Sequence, residues 1–105
     1  MKAGRLREVV VLERLTGEEN ENGEPLDRWA PFATVSASVE PLNGREFFAS
    51  ARLNAEVTTR IRIRHYEGLT KWDRVNHGGL LYKIESIIDP QSQRREMVLM
   101  CHASV

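Results

Sequence analysis

The 105-residue chain has a single cysteine, Cys101, so no disulfide can form within it. A lone thiol suits synthesis in a reducing compartment. An excess of charge of one sign is missing too. Fifteen Lys and Arg residues balance fifteen Asp and Glu residues, which removes any global electrostatic case for nucleic acid or an anionic membrane. Long hydrophobic runs are lacking: the stretch from Val9 to Leu12 falls far short of the ~20 residues of a membrane span. Met1-Lys2-Ala3-Gly4-Arg5 has no apolar core behind it that would make a signal peptide. Internal repeats and low-complexity tracts are also absent. What is present is an ordinary apolar share of 41% and a fairly high charged fraction of 29%. This length and composition support one domain, residues 1–105, with a modest core.

The pattern is mostly β. Arg7 to Leu15 is rich in Val and Leu with apolar residues on both faces, which suggests a strand that is buried or lies in an interface. Thr16 to Pro31 holds Gly17, Gly23, Pro25 and Pro31 and reads as a long polar loop. Thr34 to Glu40 alternates, with Val35, Ala37 and Val39 on one face. Asn43 and Glu46 are spaced like a capping box, and Phe47, Phe48 and Ala51 then fall on one face of a short helix. Val57, Thr59, Ile61 and Ile63 alternate with Arg60, Arg62 and Arg64. Gly78-Gly79 between Arg74–His77 and Leu80–Ile88 is a hairpin signal. Asp89 to Gln93 reads as a turn and Arg95 to His102 as the last strand. The expectation is a mainly β fold: a small antiparallel β-barrel of about six strands, with one short α-helix and a long extended loop.

Candidate chemistry is sparse. Cys101 and His102 are adjacent on a strand, so their side chains point to opposite faces and cannot share an ion locally. His65 and His77 have no ligand partner at a useful spacing. Cys101, among Met97, Leu99 and Met100, fits a small core hydrophobe better than a nucleophile. No Gly-x-Ser-x-Gly or phosphate-loop pattern occurs, and nothing pairs an acid with a base, so neither an enzyme, a metal nor a cofactor is implied. Two surfaces stand out. Arg60, Arg62 and Arg64 recur about every 7 Å along one strand face. That row suits a solvated face paired with acids such as Glu85 or Glu96, a subunit interface, or phosphates of nucleic acid. Aromatic residues do not interleave with it, which counts against stacking on bases. The other surface is the loop. Glu18, Glu19, Glu21, Glu24 and Asp27 stand there with no base among them, a composition expected either to repel itself and stay mobile or to form a solvated hairpin tip, with Trp29 and Phe32 anchoring its base.

The order of several segments resembles the tailed-phage head–tail adaptor family, also called head–tail joining or head-completion proteins. The segments are Gly4-Arg5-Leu6-Arg7; Gly23-Glu24-Pro25 and Trp29; Ala37-Ser38-Val39-Glu40-Pro41-Leu42-Asn43-Gly44-Arg45-Glu46; Ala55-Glu56-Val57-Thr58-Thr59-Arg60-Ile61-Arg62-Ile63-Arg64; and Arg74-Val75, Gly78 and Tyr82-Lys83-Ile84. The acidic density of the loop is where the chain departs most from that pattern. The resemblance implies a ring of copies, typically twelve, docked beneath the portal protein and extending the DNA channel towards a tail-side completion protein. It also implies assembly in the host cytoplasm, then a place in the neck of the virion, with DNA passing through without sequence-specific binding and no membrane partner. On this reading Glu18, Glu19, Glu21, Glu24 and Asp27 are channel candidates, and Arg45, Arg60, Arg62 and Arg64 are candidates for subunit or partner contacts. The competing reading is a small OB- or SH3-like barrel that binds nucleic acid through its arginine-rich strand.

Overall fold

The computed structural model describes residues 6–42, 57–88 and 95–104. Six strands form in chain order: β1 (Glu8–Leu15), β2 (Trp29–Pro41), β3 (Thr59–Arg64), β4 (Arg74–His77), β5 (Leu80–Ile88) and β6 (Glu96–Ser104). All pairings are antiparallel, and they close into a barrel in the order β1-β2-β3-β6-β5-β4. The expected barrel is therefore the observed one. The short helix expected from Asn43 and the turn over Asp89 to Gln93 lie outside the described residues, as does Arg45.

Alternation explains the core. Along β3 Thr59, Ile61 and Ile63 are buried while Arg60 and Arg62 remain partly exposed on the outer face. Val10, Leu12, Ala37, Val75, Ile84, Leu99 and Cys101 join the same interior. Burial of each larger aliphatic side chain there contributes about 1.5–3 kcal/mol. On β1 only one face is inward. Val10 and Leu12 are fully buried, and Val9 remains exposed on the outside. The β4–β5 turn uses Gly78 and Gly79 at φ 60° and 95°, a pair of left-handed conformations suited to a two-residue hairpin. Asn76 Oδ1 accepts the Gly79 amide at 2.9 Å and holds that turn.

Two bulges adjust the barrel. On β2 the register passes from Ala33 opposite Leu12 to Pro31 opposite Glu13, leaving Phe32 as the extra residue. On β5 it passes from Ile84 opposite Cys101 to Ser86 opposite Met100, leaving Glu85 as the extra residue. The first bulge corrects a boundary. Trp29, Ala30 and Pro31 belong to β2 and not to the loop, because a proline is tolerated in a sheet where the ladder is already interrupted.

Candidate functional site

Of the two forms expected for the acid-rich segment, the hairpin tip is the one present. It continues the β1–β2 hairpin beyond the barrel, with Thr16 N donating to Arg28 O at 2.9 Å and Leu26 N to Glu18 O at 2.8 Å. A bridge between Glu19 and Pro25 extends the ladder. The tip is closed by Asn20, whose Oδ1 accepts the amides of Asn22 and Glu24 at 2.8 and 3.0 Å. Gly23 sits at φ 78°, where a side chain would be strained. Arg28, just outside the acidic stretch, donates to Glu18 Oε2 at 3.2 Å. Local Asx geometry and one cross-strand pair thus outweigh repulsion among exposed, water-screened carboxylates. Glu18, Glu19, Glu21, Glu24 and Asp27 are all exposed on this ribbon.

The arginine face forms a ladder of alternating charge. Glu40 lies opposite Arg60 in the β2–β3 register. Its Oε1 accepts from Arg60 Nη2 at 2.9 Å, while Oε2 accepts from Ser38 Oγ at 2.7 Å and stands 3.3 Å from Arg62 Nε. Arg62 reaches the other way to Glu96 at 3.4 Å. Burial works against ionisation of Glu40, but the Ser38 and Arg60 hydrogen bonds and the charges of Arg60 and Arg62 outweigh it and hold its carboxyl below the ordinary value. Arg64 is exposed at the end of the row. Cross-strand pairing therefore engages Arg60 and Arg62, with Glu96 as expected. Glu85 belongs elsewhere: the bulge sets it 2.8 Å from His102 Nδ1 and 3.7 Å from Lys83. Glu40 is the partner that sequence reading missed, although its place opposite an arginine follows from the strand order.

A third surface had no signal in the sequence. The β3–β4 connection emerges at the same barrel end as the acidic hairpin, and its turn is moored by Asp73, which is 2% exposed. Arg14 donates to Asp73 through Nε and Nη2 at 2.8 and 2.9 Å, and its Nη2 also reaches Gly68 O at 2.9 Å. Thr70 N donates to Asp73 at 2.9 Å. Burial opposes the charge of Asp73, but these donors and the Arg14 guanidinium more than offset it and hold the carboxyl below the ordinary range. Arg14 also lies over the Phe32 ring at 4.3 Å, and Phe32 meets Tyr66 with ring centroids 5.8 Å apart. The moored turn leaves Trp72 73% exposed. Beside it is an open groove of about 430 Å³, lined among others by Leu15, Trp29, Lys71, Trp72 and Lys83. Arg74, bound to Glu13 at 2.6 Å, covers the Trp29 ring at 4.3 Å, so the expected anchoring of the hairpin base is by cation stacking as well as apolar contact.

Cys101 is fully buried, and desolvation pushes its thiol up to about 12. His102 lies on the other face of β6 beside Glu85, as strand geometry requires. Among the described residues no group of three His, Cys, Asp or Glu side chains could hold a metal ion.

Comparison with known proteins places this geometry in context. The phage head completion protein family matches residues 1–104. Among solved structures, protein SF1141 from Shigella flexneri 2a has a TM-score of 0.78 at 23% identity, covering 100% of this chain and 98% of its own. A chain of the virion of a native gene transfer agent particle has a TM-score of 0.64 at 18% identity, covering 96% of this chain and 97% of its own. At these identities the two structures speak for the fold alone. No curated protein matches the sequence.

Proposed function

Because the chain belongs to the phage head completion protein family and is thus a structural phage protein, we propose that it forms a ring, typically of twelve copies, beneath the portal. The ring would prolong the DNA channel and present a docking surface to a tail-side completion protein. The observation that carries this reading is the family match across residues 1–104, nearly the whole chain. The presence of a similarly folded chain in a gene transfer agent virion supports it. The barrel supports it physically. A closed sheet offers no strand edge to a partner, so association must use side-chain surfaces and the projecting hairpin. Arg64 is the member of the arginine face left exposed for a neighbouring subunit or the portal. Glu18, Glu19, Glu21, Glu24 and Asp27 would supply negative charge near the channel, a wall along which a polyanion slides without being held. The nucleic-acid-binding alternative draws less support, since Arg60 and Arg62 already meet carboxylates.

The direct test mixes the protein with its portal and images the complex. A ring at the portal's tail-side face is the expected result, and a portal that stays bare under conditions where both proteins are folded rejects the reading. Steeply salt-dependent DNA binding by the isolated chain would instead favour the alternative.

A further inference from the structure

The groove beside Trp72 presents two lysines, opposite in sign to the acidic hairpin, yet the hairpin tip stands away from the groove of its own copy. Residues paired across an antiparallel ribbon share a face, and the face repeats every second pair. Leu15 pairs with Trp29, and Glu19 bridges Pro25. Leu15, Trp29, Asp27, Glu19 and Pro25 therefore lie along one face of the hairpin. Leu15, Trp29 and Asp27, at its base, line the groove; Glu19 and Pro25 project about 13 Å farther out, four residues along the strand. The tip is thus held away from its own groove. Opposite the base stand Trp72 and Lys71, whose ammonium is 5.1 Å from the Trp72 ring.

We propose that the hairpin tip of one copy docks in the groove of the next, with Pro25 against the Trp72 indole and Glu19 beside Lys71. This inference rests on the ring reading above and names the contact that would build it. Three observations favour a second copy as the occupant. The first is charge. The segment from Glu18 to Asp27 carries five acids and no base. In the groove, Asp73 is already matched by Arg14 and Arg74 by Glu13, which leaves Lys71 and Lys83 against the single carboxylate of Asp27, Lys83 also 3.7 Å from Glu85. The second is preorganisation: the Arg14–Asp73 pair fixes the turn that holds an exposed indole in place, so little ordering remains to be done on contact. An exposed tryptophan flanked by a cation is a strong anchor for a flat apolar ring between carboxylates. The third is symmetry. Tip and groove are different patches, so their contact is head-to-tail, the kind that builds a ring when the rotation between copies closes. Glu18, on the opposite ribbon face with Arg28, would remain available to the channel.

The contact can be read by disulfide trapping in assembled rings. Two single-cysteine-addition chains, Pro25→Cys and Trp72→Cys, are mixed with the portal under mild oxidation. The buried Cys101 does not compete. The expected result is covalent dimers from this mixture and none from Pro25→Cys mixed with Leu80→Cys, which sits at the other barrel end. Separately, Lys71→Glu should reduce ring yield about tenfold, with recovery when Glu19→Lys is added to the same chain. Rings that form without any 25–72 dimers, or a Lys71→Glu chain that assembles normally, overturn this contact while leaving the ring reading intact. Failure of the unaltered chain to form rings overturns both.

Discussion

Asp73 shows how one buried carboxylate can set a surface. Its two oxygens take hydrogen bonds from Arg14 and Thr70, and the turn that presents Trp72 depends on them. Replacing it with asparagine keeps the volume but removes the charge that Arg14 needs. Because Arg14 is itself half exposed, we expect Asp73→Asn to cost about 2 kcal/mol at neutral pH, below the full penalty of a broken buried pair, as measured by urea unfolding. The pH dependence has a definite sign. The folded-state pKa of Asp73 lies below its unfolded value, so its contribution is present above the usual carboxylate range near ~4 and disappears as pH falls through and below it. Glu40 acts in the same direction. Unfolding titrations should therefore show stability falling in acid, with a shallower fall in the Asp73→Asn protein than in the unaltered chain. Equal slopes would show that Arg14 does not favour the ionised carboxylate.

At the level of elements, the regular stretches were legible and the irregular ones were not. Strict alternation located β3 and the inward face of β2, since a period of two admits one assignment of side chains to faces. Gly78-Gly79 marked the β4–β5 turn for an equally local reason. An added Cβ at Gly79 meets nothing within 4 Å, so any cost of Gly79→Ala comes from its φ of 95° alone. Thermal unfolding should show a loss of about 1 kcal/mol, without change in oligomer assembly. The bulges at Phe32 and Glu85 had no comparable signal. A single inserted residue changes which neighbour a side chain meets but scarcely alters hydropathy. The Arg14–Asp73 pair is separated by 59 positions and appears only once β1 and the β3–β4 connection meet. The acidic segment left two readings open, because composition registered its repulsion while Asn20 and Gly23 supplied the turn that makes it a hairpin.

For the whole molecule, the barrel and the hairpin separate as two structural tasks. All described residues from Thr16 to Arg28 are exposed except the half-buried Leu26, so the hairpin contributes little to the core. Replacing Gly17–Asp27 with a short two-residue turn should leave barrel stability within about 1 kcal/mol while abolishing ring formation on the portal. Circular dichroism melting and electron microscopy of the same sample would check both halves. A barrel that unfolds without its hairpin would mean that the ribbon is part of the core structure.

The strand order carries a consequence for timing. β6 pairs with β3 on one side and β5 on the other, although it is the last of the six to leave the ribosome. Until residues 96–104 arrive, both neighbours expose unpaired backbone. Closure joins segments distant in sequence, which places this chain among slow-folding topologies. During synthesis the nascent protein is therefore a sheet with two sticky margins, at risk of pairing with other unfinished copies. Only the arrival of the sixth strand turns that hazard into a sealed barrel.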